Sequence, residues 1–112
     1  MKFPFGINFQ VSTFTFQLYM KRIAIIVAMQ SEFELVSHIL ENVVEPPMPD
    51  GVQCRLGMLS GKQIILLKSG IGKVNAAMQV TSLIAEAHPD YIINSGVAGG
   101  IGAGLHQGDI VV

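Results

Sequence analysis

The chain has 112 residues, half of them hydrophobic and 13% charged, with a formal net charge of −1. That length is enough for one domain with a real core, and a near-neutral chain without a Lys/Arg cluster lacks the electrostatic basis for nucleic-acid binding. No apolar run approaches the roughly 18 residues a membrane span needs, and the single cysteine, Cys54, excludes an internal disulfide and, with no Cys/His ligand spacing, a structural zinc site.

Residues 1–19 hold Phe3, Phe5, Phe9, Phe14, Phe16 and Tyr19 but only one charge, Lys2. Ser12, Thr13, Thr15 and Gln17 break the apolar run that a secretory signal requires. Phe14, Phe16 and Leu18 alternate with Thr13, Thr15 and Gln17, a weak strand pattern. This stretch is expected to be an accessory extension or a misplaced start, with the domain proper at 20–112.

Residues 23–29, IAIIVAM, form a short β-branched run expected of a strand buried on both faces. Phe33, Val36, Ile39, Leu40 and Val43 then recur at helical spacing, which predicts an amphipathic helix over about 31–42. Pro46, Pro47, Pro49 and the Asp50/Gly51 pair make a loop. Strands are predicted near 52–59 and 63–68, joined as a hairpin through Ser60 and Gly61. A glycine loop at 69–72 leads to a second helix marked by Val74, Ala77, Met78, Thr81, Ile84 and Ala85, which Pro89 ends. Residues 91–94 read as another buried strand, and 108–112 as the start of one more with its apolar edge uncovered. The order strand, helix, hairpin, helix, strand predicts an α/β fold, a mixed sheet flanked by helices.

Three loops follow strands, at 28–32, 69–73 and 95–100, and open α/β sheets bind ligands beyond the carboxyl ends of their strands. One shared pocket is the expectation. The glycines match neither phosphate-binding fingerprint: Leu67 and Val74 break the P-loop pattern around Gly72 and Lys73, and Asn75, Leu105 and Gln107 stand where a dinucleotide motif needs its third glycine. They fit turn-making and close packing, or close approach of backbone to a ligand. Glu32 follows a buried strand in the first turn of a helix. There a carboxylate either complements the free N–H groups of the helix or orients and deprotonates a water at a pocket mouth. His38, His88 and His106 have no acidic or cysteine partners at ligand spacing and read as structural.

Four ordered segments, KRIAIIVAMQSEFELV (21–36), ILLKSGIGKVNAA (65–77), DYIINSGVAGG (90–100) and GDIVV (108–112), resemble the N-terminal portion of the 5′-methylthioadenosine/S-adenosylhomocysteine nucleosidases. These belong to the purine/uridine phosphorylase superfamily. The resemblance implies a cytoplasmic homodimer that hydrolyses the N-glycosidic bond of its purine nucleoside substrates, releasing adenine, with no metal or organic cofactor. By position it assigns Glu32 to the attacking water. Ala28, Met29 and Ile71 are assigned to the ribose and its 5′-thio substituent, and Val97, Ala98 and Gly99 to the loop bordering purine and ribose. Val97 departs from the pattern, since many members carry serine there. The family's general-acid aspartate, its ribose-binding Met-Glu pair and a second water-holding arginine match positions beyond Val112, so the chain by itself is expected to be inactive. The alternatives are a phosphorylase or another nucleosidase of the same fold, or a non-catalytic remnant. A phosphorylase needs a cationic phosphate site, whereas Gln30, Ser31 and Glu32 stand in the first loop.

Overall fold

The computed structural model describes residues 21–49 and 51–112. The expected extension at 1–19 lies outside the described residues. The elements are β1 (Arg22–Val27), α1 (Gln30–His38), β2 (Glu41–Val44), β3 (Gln53–Leu59), β4 (Lys62–Lys68), α2 (Lys73–Ala87) and β5 (Tyr91–Asn94). The five strands form one mixed sheet in the order β2-β3-β4-β1-β5. β1 lies between β4 and β5 and runs parallel to both, whereas β3 is antiparallel to β2 and to β4.

Side chains alternate across this sheet and give it two cores. Ala24 and Ile26 of β1, Ile65 and Leu67 of β4, and Cys54 and Leu56 of β3 pack under Leu83 and Ala87 of α2. Val27, Ile64 and Leu66 pack on the other face with Phe33 of α1 and Leu40. β1 from Ile23 to Val27 and β4 from Ile64 to Leu67 are therefore continuously apolar, because both of their faces are covered. Full burial of a side chain the size of Phe33 contributes about 2–3 kcal/mol.

The β3–β4 hairpin closes where the sequence places it. Leu59 pairs with Lys62, and the two residues between them, Ser60 and Gly61, have φ of 49° and 75°. Two successive positive φ angles suit the right-handed twist of the flanking strands, which is why glycine occupies the second position. At the opposite edge of the core, Arg22 ties several termini together. Its backbone N–H donates to Asp90 Oδ2 at 2.8 Å, and its guanidinium donates to the Ala87 carbonyl at the end of α2 and to Gln63 Oε1. The cation thus satisfies a carbonyl that the helix itself leaves free.

One expectation of burial fails: 91–94 form β5, but all four positions are exposed, because β5 is an edge strand of the sheet among the described residues. Two further expectations are corrected. The first helix does not run to 42: it ends at His38, and 41–44 form β2. The amide of Ile39 bonds Val36 O and that of Leu40 bonds Ser37 O, a tightened last turn, and Asn42 then takes a φ of 53°. Leu40 keeps the helical spacing yet reaches the core from outside the helix, because Gly57 of β3 leaves room for it. A Cβ on Gly57 would lie 3.0 Å from Leu40 Cβ and 3.1 Å from Glu41 O. The second correction concerns 108–112, where no strand forms. Among the described residues this segment pairs with no strand of the sheet, so its β-branched composition has no ladder to join. No helix of the described residues is long and apolar enough to cross a membrane.

Candidate active site

The parallel strands β4, β1 and β5 end side by side. Ser69 donates its backbone N–H to Val27 O at 2.9 Å, and Ser95 does the same to Ile26 O at 2.9 Å. The connections at 28–29, 69–72 and 95–100 consequently leave one edge of the sheet together, with the β1 connection and the first turn of α1 in the middle.

Glu32 is the third residue of α1, and its carboxylate has two different oxygens. Oε2 accepts the backbone N–H groups of Ala28 at 3.0 Å and Met29 at 2.9 Å. Met29 is the residue that caps the helix and offers no side-chain oxygen of its own, so Glu32 reaches back to do the work, as the acidic half of a capping box does. Oε1 is buried and has no hydrogen-bond partner among the described residues. It faces the β5 loop, where a Cβ on Gly96 would come within 3.6 Å of it. A buried carboxylate oxygen without a donor carries a desolvation cost of several times a neutral hydrogen bond, and such oxygens are ordinarily satisfied by an ordered water or a ligand. The two readings of Glu32 open from the sequence are thus carried by different oxygens of one group: Oε2 serves the helix, and Oε1 is left over for a ligand.

Ala28 and Met29 sit half-buried at the mouth of the β1 loop, where their amides are committed to Glu32. Ile71 and Val97 stand in the open, 74% and 81% exposed, and Ala98 and Gly99 are exposed as well. The structure bonds Glu32 to Ala28 and Met29 and brings Gly96 close to its Oε1, while Ile71, Val97, Ala98 and Gly99 stay exposed on their loops. The glycine loop before α2 is held from within: Gly70 and Gly72 have φ of 85° and 98°, and Asn75 Nδ2 donates to Ile71 O at 2.8 Å. Turn-making accounts for these two glycines.

Gly96 is a contact the sequence reasoning passed over, since only distance to Glu32 distinguishes it from its glycine neighbours. Arg55, Gln30 and Lys68 were also passed over. Lys68 Nζ donates to Gln30 Oε1 at 3.0 Å, Gln30 Nε2 to Glu34 Oε1 at 2.7 Å, and Arg55 bridges Glu34 and Glu45 at 2.9 and 2.8 Å. The Arg55 guanidinium holds the Glu34 carboxyl below its usual range. A cavity of about 170 Å³ opens on the β2–β3 side, lined by Phe33, Pro46, Met48, Val52, Gln53 and Cys54. Its thiol is inert, because burial pushes Cys54 up to about 12. Among the described residues no cluster of three His, Cys, Asp or Glu is placed to hold a metal ion.

A mixed sheet with three loops at the carboxyl ends of adjacent parallel strands, and a half-committed carboxylate between two of them, defines an α/β protein of the kind that binds small ligands at that edge. A family model described as "Phosphorylase superfamily" matches residues 22–112, and the chain belongs to that family. Two curated relatives carry the name 5′-methylthioadenosine/S-adenosylhomocysteine nucleosidase. The Listeria innocua protein is 44% identical over 80% of this chain and 38% of its own length; the Halalkalibacterium halodurans protein is 46% identical over 83% and 40%. Among solved structures, the Neisseria meningitidis nucleosidase in complex with methylthio-immucillin-A superposes with a TM-score of 0.72 at 42% identity, covering 78% of this chain and 37% of that one. The Colwellia psychrerythraea nucleosidase in complex with adenine gives 0.74 at 34% identity, covering 80% and 37%. The chain therefore spans about two-fifths of the length of the relatives it matches.

Proposed function

We propose that the protein containing this chain hydrolyses the N-glycosidic bond of 5′-methylthioadenosine and S-adenosylhomocysteine, and that Glu32 holds the attacking water. The observation that carries this reading is the division of labour within Glu32: Oε2 locked by two backbone N–H groups, Oε1 buried, unpartnered and facing Gly96. A water donating to Oε1 would have its lone pairs directed away from the carboxylate, at a sugar carbon held over the edge of the sheet. In the reaction the water oxygen bonds to C1′ of the ribose while the bond from C1′ to the purine nitrogen breaks. Glu32 receives the proton the water loses, and the departing adenine takes a proton from a second group on the opposite side of the sugar. Because Oε2 is pinned, the carboxylate does not have to be oriented in the transition state, and that preorganisation is where its advantage over a free carboxylate lies.

The names of the relatives, and the purine ligands in their structures, support methylthioadenosine and S-adenosylhomocysteine as substrates. On this reading Ala28, Met29 and Ile71 contact the ribose and its 5′-thio group, and Val97, Ala98 and Gly99 border the sugar and the base. Val97 contributes backbone contacts there, since its side chain has no hydrogen-bonding group. The reading extends to a cytoplasmic homodimer acting in methionine salvage.

The test is adenine release from methylthioadenosine by the full-length protein in phosphate-free buffer. Hydrolysis gives sustained release that added phosphate does not accelerate. Release that requires phosphate would replace hydrolysis by phosphorolysis, and no release from either nucleoside would remove the substrate assignment.

A further inference from the structure

Glu32 can hold a water in one place only if α1 itself is held in one place, and α1 has little apolar surface to do this with. It is nine residues long and Phe33 is its one fully buried side chain. Val36 packs against the same cluster but is only partly buried, and so narrow an apolar footing restrains the roll and slide of a short helix only weakly.

The polar residues of α1 supply what the apolar face lacks. Residues two apart on a helix are separated by about 200°, so Glu32 projects from one flank and Gln30 and Glu34 from the other. The strand order puts β5 and Gly96 on the Glu32 side and β4 and β3 on the Gln30 and Glu34 side. That second flank is fastened to the sheet at two points. Lys68, the last residue of β4, donates to Gln30 at 3.0 Å, and Gln30 passes the contact to Glu34 at 2.7 Å. Arg55 of β3 donates to both carboxylate oxygens of Glu34, at 2.9 and 3.4 Å, and its guanidinium lies 4.7 Å from the centre of the Phe33 ring. A second carboxylate, Glu45, holds Arg55 Nε at 2.8 Å and fixes the plane of the fork. Arg55 thus touches both the buried anchor of α1 and its polar flank.

We infer that Arg55 is a positioning residue for Glu32. By setting how far α1 lies across the sheet from β3, it sets the gap between Glu32 Oε1 and the Gly96 loop on the far side. The inference rests on the reading of Glu32 as the holder of the water. Lysine is only a partial substitute, because a point charge cannot span two oxygens of one carboxylate while stacking on a ring. Exposed ion pairs contribute little to global stability, and Glu34 and Glu45 are 43% and 68% exposed, so the role of Arg55 is expressed in placement rather than in melting temperature.

The experiment is a double-mutant cycle in the full-length protein, with Arg55→Gln, Glu32→Gln and the pair, read as kcat and KM for methylthioadenosine and as amide hydrogen exchange at Ala28 and Met29. Arg55→Gln lowers kcat by roughly 10- to 100-fold, the scale of a small misplacement of a reacting group, with KM within a few-fold. Arg55→Lys, which keeps the charge and one hydrogen bond, recovers part of that loss. In the Glu32→Gln background Arg55→Gln has no further effect, since two residues acting through one group are not additive. The Ala28 and Met29 amides, which donate to Glu32 Oε2, exchange faster in Arg55→Gln. Equal losses of kcat in both backgrounds, or unchanged kcat together with unchanged exchange, overturn the inference. If Glu32→Gln itself leaves turnover intact, the hydrolytic reading fails. The exchange data then decide alone: faster exchange supports the placement of α1 by Arg55, and unchanged exchange overturns it.

Discussion

Replacing Gly57 by alanine tests how the chain turns from α1 into the edge of the sheet. The added Cβ would lie 3.0 Å from Leu40 Cβ, 3.3 Å from Leu40 Cδ1 and 3.1 Å from Glu41 O. Carbon atoms pack at about 3.5–4.0 Å, so the two carbon contacts fall short by several tenths of an ångström. The leucine methyl can swing aside, but Leu40 Cβ and the Glu41 carbonyl move only with the backbone of β2. Leu40 is held by Phe33, Ile64 and Leu66 on the α1 side of the sheet. Overpacking of this kind costs about 1–3 kcal/mol. Removing a glycine from a strand interior returns roughly 0.5–1 kcal/mol. The two ranges leave a net loss between about 0 and 2.5 kcal/mol, and about 1 kcal/mol is expected because β2 is exposed at every position and can shift. Urea unfolding of Gly57→Ala against the parent, compared at constant m, measures it. A midpoint equal to or above the parent's would show that Leu40 and Glu41 do not approach β3 so closely, and the explanation of the α1–β2 corner would fall.

Two further outcomes are expected. His88 ends α2 in the left-handed region, with φ 46° and ψ 58°, where a side chain costs about 1 kcal/mol; His88→Gly should raise the urea midpoint by an equivalent of about 0.5–1 kcal/mol, and a fall would mean that the imidazole makes a contact worth more than the strain. The Glu34 carboxyl is depressed below its ordinary 4.5 by Arg55. A depressed carboxyl contributes stability that is fully present above the unfolded value and is lost as pH falls through the folded one. The small difference in unfolding free energy between parent and Arg55→Gln should therefore be fully present well above 4.5 and shrink as pH falls below it, and a difference that grows on acidification would contradict the pairing.

Much of this architecture could be read from residue patterns, for physical reasons that differ along the chain. β1 and β4 are covered on both faces, which leaves a continuous apolar run that no solvent-facing residue interrupts. The hairpin carries its own turn chemistry in Ser60 and Gly61, and α2 is bounded by Gly72 and by Pro89. β2 was hidden because Ile39, Leu40 and Val43 continue the helical period although the helix has ended, and what diverts the chain is a glycine on another strand, seventeen positions after Leu40. Residues 108–112 show the converse: β-branched composition favours a strand only where a neighbour offers hydrogen bonds. At the site, the position of Glu32 after a buried strand singled it out, but not which of its oxygens is engaged. That depends on Met29, which cannot cap the helix, and on Gly96, which arrives from β5. The clamp on the other flank of α1 was illegible for the same reason. Arg55, Lys68 and Gln30 lie on three different elements, and nothing in their spacing predicts that they meet.

The most direct test of the account is Glu32→Gln. Glutamine has the same shape, and its carbonyl oxygen can take the Ala28 and Met29 amides in place of Oε2, so the start of α1 should remain folded. Its amide nitrogen then occupies the position of Oε1, where it offers donors to a water in place of an acceptor and cannot receive a proton. The measurement is adenine release from methylthioadenosine by the full-length protein and by the variant, at saturating substrate, together with KM. The account predicts a loss in kcat of roughly 10²- to 10⁴-fold, the range for removal of an acid–base group, with KM nearly unchanged. Turnover within a few-fold of the parent, in a variant that melts like the parent, would contradict it and return Glu32 to the role of a helix cap alone.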